Sequence, residues 1–100
     1  LLEAADARHS VQLMVTDARS RAYLESYLAE AGRSVDAEKL YVVPTGSPEA
    51  PRFGVLFGTY GDRAEALAAL EALPAPLRQF KPYARPLEAV RDEARRAERR

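Results

Sequence analysis

Arg52-Phe53-Gly54-Val55-Leu56-Phe57-Gly58-Thr59-Tyr60, followed by Gly61, Asp62 and a helix-period segment from Arg63, decides the fold of this chain. Phe53, Val55 and Phe57 alternate with Arg52, Gly54, Leu56 and Gly58, the period-two pattern of a strand with one apolar, core-facing side. Asp62 and Glu65 form a D-x-x-E capping pair that opens a helix. That helix has Ala66, Leu67, Leu70 and Leu73 as its apolar face, and Pro74 stops it. An earlier stretch repeats the design. His9-Ser10-Val11-Gln12-Leu13-Met14-Val15 is an apolar run leading to Asp17, a good N-cap residue. Leu24, Tyr27, Leu28 and Ala31 then follow at the i, i+3, i+4, i+7 spacing of a helix stripe. Each half of the chain is therefore a strand–helix unit, and the polar Gln12 is the clearest exception to the pattern.

Working outward, the first strand covers about Ser10–Val15, with Val11, Leu13 and Val15 on one face and Gln12 and Met14 on the other. Gly32 supplies a left-handed residue that ends the first helix. Leu40–Val43 is a second strand, and the turn formers from Pro44 to Pro51 make an exposed hairpin loop. Phe80–Ala84 is a fourth strand that Pro82 confines to an edge. Pro86 opens a third helix with Leu87, Val90, Ala94 and Ala97 facing inward. Residues 1–9 read as a lead-in or linker end, 10–94 as the domain and 95–100 as a fraying polar tail. The order β-α-β-β-α-β plus a C-terminal helix predicts an α+β domain. Its four-stranded, mainly antiparallel sheet carries both long helices on one face. The other face is left open unless the last helix or a partner covers it, and glycines 54 and 58 make it flat.

One hundred residues with 47% hydrophobic content suit one domain with one core. The absence of cysteine excludes disulfides and thiolate metal sites. Formal net charge is zero, which opposes a basic nucleic-acid footprint. Residues 81–100 nevertheless carry seven Lys/Arg against four Asp/Glu. No apolar run approaches the roughly 18 residues of a membrane span, and no signal peptide is evident. The chain opens on Leu1 rather than Met, which predicts a domain cut from a larger protein. His9 is the only histidine and lacks companions at metal-ligand spacing. Ser10 is its sequence neighbour, but adjacent strand residues point to opposite faces. Neither a metal centre, a hydrolase nor any other enzyme is expected, and no cofactor. Gly58-Thr59-Tyr60-Gly61 also lacks the Lys-Ser/Thr of a nucleotide-binding turn.

The arrangement resembles the SPOR domain, a peptidoglycan-binding module of bacterial cell-envelope and division proteins. Val11-Gln12-Leu13 is similar to that family's opening strand. Phe53 to Tyr60, then Gly61-Asp62-Arg63-Ala64-Glu65-Ala66 and Leu70, is similar to its strand–Gly–x–aromatic segment and following helix. Lys81-Pro82-Tyr83-Ala84-Arg85-Pro86-Leu87 resembles the Pro-aromatic-x-(Arg/Lys)-Pro ending of the subgroup found at the C-terminus of a membrane-anchored division protein. The resemblance spans residues 10–92. It implies a ferredoxin-like fold and a non-catalytic role: binding glycan strands stripped of stem peptides and directing a parent protein to the septum. It further implies a periplasmic location, envelope or division proteins as further partners, and no direct membrane contact from this fragment. Gln12 matches the glutamine of the first strand, and Tyr83 an aromatic that is often Trp. Val15 and Arg52 depart from the pattern, standing where the subgroup has a small hydroxyl residue and an aromatic.

The candidate glycan-binding residues are Gln12, Tyr83, Arg52, Met14, Leu56 and Tyr41. Sugars call for amide and hydroxyl hydrogen bonds plus apolar stacking. Gln12 offers two donors and an acceptor, or is a solvated strand residue. Tyr83 combines a flat ring with a polar tip, or packs under the last helix. Arg52 can bond a lactyl carboxylate or glycan oxygens, or is a solvated strand end. Met14 and Leu56 would form an apolar floor unless the last helix covers them, and Tyr41 either joins the platform or packs. Two other classes compete. An RNA-recognition fold shares the element order, but it needs aromatics on the open face, whereas Phe53 and Phe57 face the core with Val55. A dimerising or protein-interaction module would use the open sheet against another chain.

Overall fold

The computed structural model describes residues 8–79 and 81–98, without the side chains of residues 97 and 98. Residues 1–7 of the expected lead-in (1–9), Phe80 at the expected start of the fourth strand, the inward side chain of Ala97, and residues 99 and 100 of the expected tail (95–100) lie outside the described residues. The elements are β1 (His9–Asp17), α1 (Arg21–Ser34), a 3-10 turn (Ala37–Lys39), β2 (Leu40–Gly46), β3 (Pro51–Tyr60), α2 (Arg63–Glu71), α3 (Ala75–Arg78), β4 (Tyr83–Pro86) and α4 (Leu87–Glu98). The four strands form one sheet in the order β2-β3-β1-β4, and every neighbouring pair is antiparallel. This is the expected ferredoxin-like α+β arrangement.

The main core lies between the sheet and α1, α2 and α3. Val11, Leu13 and Val55 meet Leu24, Tyr27 and Ala31 of α1, Ala66 of α2, and Leu73 and Leu77 beyond it. Phe53 and Phe57 pack against the same cluster, as the alternation of β3 predicts. The stripe of α1 is as expected. Leu67 is not part of the α2 face: it is exposed, and the inward side is Ala66, Ala69 and Leu70. The capping pair of α2 is present, with the Glu65 amide donating to Asp62 Oδ1 at 2.8 Å and the Gly61 amide to Glu65 Oε1 at 2.9 Å.

Asp17 does not cap α1. It ends β1, and its carboxylate accepts from the Arg19 amide at 2.8 Å, so the chain makes one turn before Ser20 opens the helix. Gly32 is not left-handed either; α1 runs through it to Ser34. The hairpin is tighter than its proline and glycine content implies. Pro44 and Thr45 belong to β2, and the turn itself is Ser47–Ala50, closed by mutual backbone hydrogen bonds. Pro44 fits there because β2 is an edge strand.

Two bulges govern which side chains share a face. In β1, Gln12 pairs with Leu56 but Met14 pairs with Val55, so Leu13 is an extra residue. Beyond it the alternation is inverted. Met14 falls on the helix side, buried with the main core, while Val15 pairs with Gly54 on the Gln12 side and is exposed. Both assignments reverse the simple alternation. In β3, His9 pairs with Tyr60 and Val11 with Phe57, which leaves one residue over at Gly58. Gly58 has a φ of 73°, the left-handed conformation of a glycine-type bulge. Its carbonyl accepts from Ser10 Oγ at 2.7 Å. The two glycines therefore do not make a flat surface: one forms a bulge, and Gly54 is buried beside Gln12 and Val43.

The second sheet face carries α4. Leu87 and Val90 are fully buried, Val90 against Val43 and Leu56, with Tyr41 at the margin of this second cluster. Each such side chain stabilises by about 1.5–3 kcal/mol on leaving water. The helix covers the part of this face nearest Leu56 and leaves the hairpin end of β1 and β3 uncovered. That partial coverage defines the site.

Candidate functional site

A groove of about 460 Å³ occupies the uncovered end. Its floor comes from Gln12 and Val15 of β1, Thr45 of β2 and Arg52 of β3. Tyr83 and Arg85 of β4 form one wall, Glu93 and Arg96 of α4 another, and Ser47 and Ala50 of the hairpin turn a third. The strand registers explain the grouping. Gln12 pairs with Tyr83, Val15 with Gly54 and Thr45 with Arg52, so all these side chains project from the α4 side of the sheet.

A chain of hydrogen bonds runs beneath the groove. Gln12, only 4% exposed, donates from Nε2 to the Tyr83 hydroxyl at 3.1 Å and accepts at Oε1 from Arg85 Nη1 at 2.6 Å. Arg85, 9% exposed, donates from Nη2 to Glu93 Oε2 at 2.6 Å. Glu93 Oε1 accepts from Thr45 Oγ1 at 2.6 Å. A buried guanidinium without a carboxylate would be costly, and here Glu93 on the covering helix supplies one. The Arg85 hydrogen bond holds the Glu93 carboxyl below the usual carboxylate range; burial opposes the effect, and the Thr45 hydroxyl reinforces it.

Of the six expected site residues, Gln12, Tyr83 and Arg52 line this groove, and the first two are hydrogen-bonded to each other. Tyr83 is 50% exposed, so its ring does not pack under α4. The other three are elsewhere. Met14 lies on the opposite face because of the β1 bulge. Leu56 is fully buried under Val90, so it provides no floor. Tyr41 sits against that same cluster, beside a different depression lined by Asp36, Lys39 and Tyr60.

Arg85, Glu93, Thr45, Arg96 and Val15 also line the groove, although none is among the candidates the sequence offers. Arg85 lies two residues from Tyr83 on one strand, so period-two spacing alone could have placed them together. Glu93 and Thr45 carried no such signal, because their meeting depends on α4 folding back across β2. Ser10 and His9 form no nucleophile–base pair, since the Ser10 hydroxyl is engaged by Gly58. Among the described residues there is no group of three or more metal-ligating side chains. No helix among them is long and apolar enough to cross a membrane. The chain matches no family model, and no curated protein matches it in sequence.

Proposed function

We propose that this domain binds the glycan backbone of peptidoglycan through the groove between the hairpin, β4 and α4, and so directs a parent envelope protein to sites of septal remodelling. The observation that carries the reading is the convergence of Gln12, Tyr83 and Arg52 on one polar groove with an exposed aromatic ring. The first two are the positions that the SPOR resemblance assigns to ligand. A sugar chain needs a trough open at both ends, a flat apolar surface for stacking and fixed hydrogen-bonding groups beside it. Tyr83 supplies the surface. The buried chain fixes the groups, so little side-chain ordering remains to oppose binding. On this reading the domain is periplasmic and has no catalytic role.

Purified sacculi provide the test. Binding is expected to rise after an amidase removes the stem peptides, and Tyr83→Ala should lower it about tenfold or more while leaving the melting transition cooperative. Failure to bind either preparation would refute the proposal and favour a protein-interaction role. For a dimerising module, α4 already occupies much of the face that a second sheet would need.

A further inference from the structure

Chemistry alone sets the direction of every hydrogen bond beneath the groove. Arginine can only donate, so the Gln12 atom facing Arg85 at 2.6 Å is the amide oxygen. The amide nitrogen must then face Tyr83, and it can only donate, so the Tyr83 hydroxyl accepts at 3.1 Å. Having accepted from beneath, that hydroxyl has its own proton free for the groove. Glu93 does not take it: the Glu93 carboxylate bonds Arg85 and Thr45 and makes no hydrogen bond to Tyr83.

The charges agree with this polarity. Arg52 and Arg96 both line the groove and are exposed, and neither makes an ion pair or hydrogen bond among the described residues. Asp17 is the acidic neighbour of Arg52 across the strands, but its carboxylate is engaged by the Arg19 amide and side chain. The one carboxylate in the lining, Glu93, is matched by Arg85. Glu93 attracts Arg96 and Asp17 attracts Arg52 through space, but neither carboxylate forms an ion pair or hydrogen bond with them. Two guanidinium groups and one outward O–H donor therefore face the same space with their N–H and O–H donors unclaimed among the described residues.

We infer that the groove selects the free carboxylate of a muramic-type sugar: Arg52 and Arg96 flank it, and the Tyr83 hydroxyl donates to it or to the adjoining ring oxygen. The inference rests on the glycan reading above and names the group being recognised. Hydrolysing the amide between the lactyl group and a stem peptide frees one carboxylate for each sugar it strips. On a peptide-bearing sugar the lactyl carboxyl is tied up as a neutral amide, so the groove's donors would lose their charge-assisted partner at that position.

The test uses one batch of amidase-treated strands. Half keeps its lactyl carboxylates, and half has them converted to methylamides by carbodiimide coupling, which leaves the rings and length unchanged. The whole chain should bind the carboxylate strands roughly tenfold or more tightly, with a preference that shrinks as salt is raised. Arg52→Gln/Arg96→Gln, two exposed substitutions, should melt like the parent chain yet bind both preparations alike. Equal binding of the two preparations by the unaltered chain would overturn the carboxylate inference while leaving glycan binding intact. A preference retained in the double variant would remove the two arginines from the role. Binding to neither preparation would overturn the glycan reading, and this inference with it.

Discussion

Glu93 ties the covering helix to the side chains beneath the groove through its carboxylate. Among the described residues its carboxylate is the only acceptor for Thr45 Oγ1 and for Arg85 Nη2, and the Arg85 hydrogen bond is the main reason that its proton affinity is lowered. The folded state therefore binds that proton less readily than the unfolded chain, whose value is near 4.5. The resulting stabilisation is fully present above that value and is lost as pH falls below it, through the lower folded-state value. Glu93→Gln should cost about 1–3 kcal/mol at pH 7, where it leaves Arg85 without its counter-charge. The gap between the two proteins should narrow progressively below pH 4.5. Denaturant titrations at pH 7 and pH 3 check this, and a gap that stays constant would show that the carboxylate is not the titrating group.

Among the elements, the bulges separate what alternation can reveal from what it cannot. Phe53, Val55 and Phe57 were legible because β3 is regular across them, and Asp62 with Glu65 because capping is local chemistry. That Gln12 and Tyr83 share a face follows from the continuous β1–β4 register, which pairs the two directly. The faces of Met14 and Val15 were not legible. The extra residue at Leu13 has no signature in composition, since Val11-Gln12-Leu13-Met14-Val15 reads equally well as unbroken alternation. The β3 bulge does leave a trace, a glycine in a strand, and it is testable. At φ 73°, any other residue is strained, and an added Cβ would stand 2.4 Å from the Tyr60 hydroxyl, the far end of a movable side chain. Gly58→Ala should therefore destabilise by about 1–3 kcal/mol. The urea midpoint should drop with an unchanged slope, because the surface exposed on unfolding is the same. Neutrality would mean that the bulge relaxes to another register.

At the scale of the molecule, the sheet is sandwiched unevenly, with α1 to α3 covering one face and α4 part of the other. Leu87 is fully buried where α4 leaves the sheet, so Leu87→Ala should cost about 2–5 kcal/mol. A single coincident transition by near- and far-ultraviolet circular dichroism is expected, because α4 also carries the Glu93 that neutralises Arg85. Separate transitions would make α4 an appendage. The same wiring bears on how such a domain can diverge. Gln12, Thr45, Arg85 and Glu93 come from four different elements, and each satisfies a buried or half-buried partner. Replacing one alone strands another, so the four are expected to drift in concert or not at all. Arg52 and Arg96 reach solvent and answer to no such constraint, whereas the Tyr83 hydroxyl also serves the buried Gln12 amide. Changes in charge can therefore arise at those two rim positions while the buried quartet is inherited unchanged.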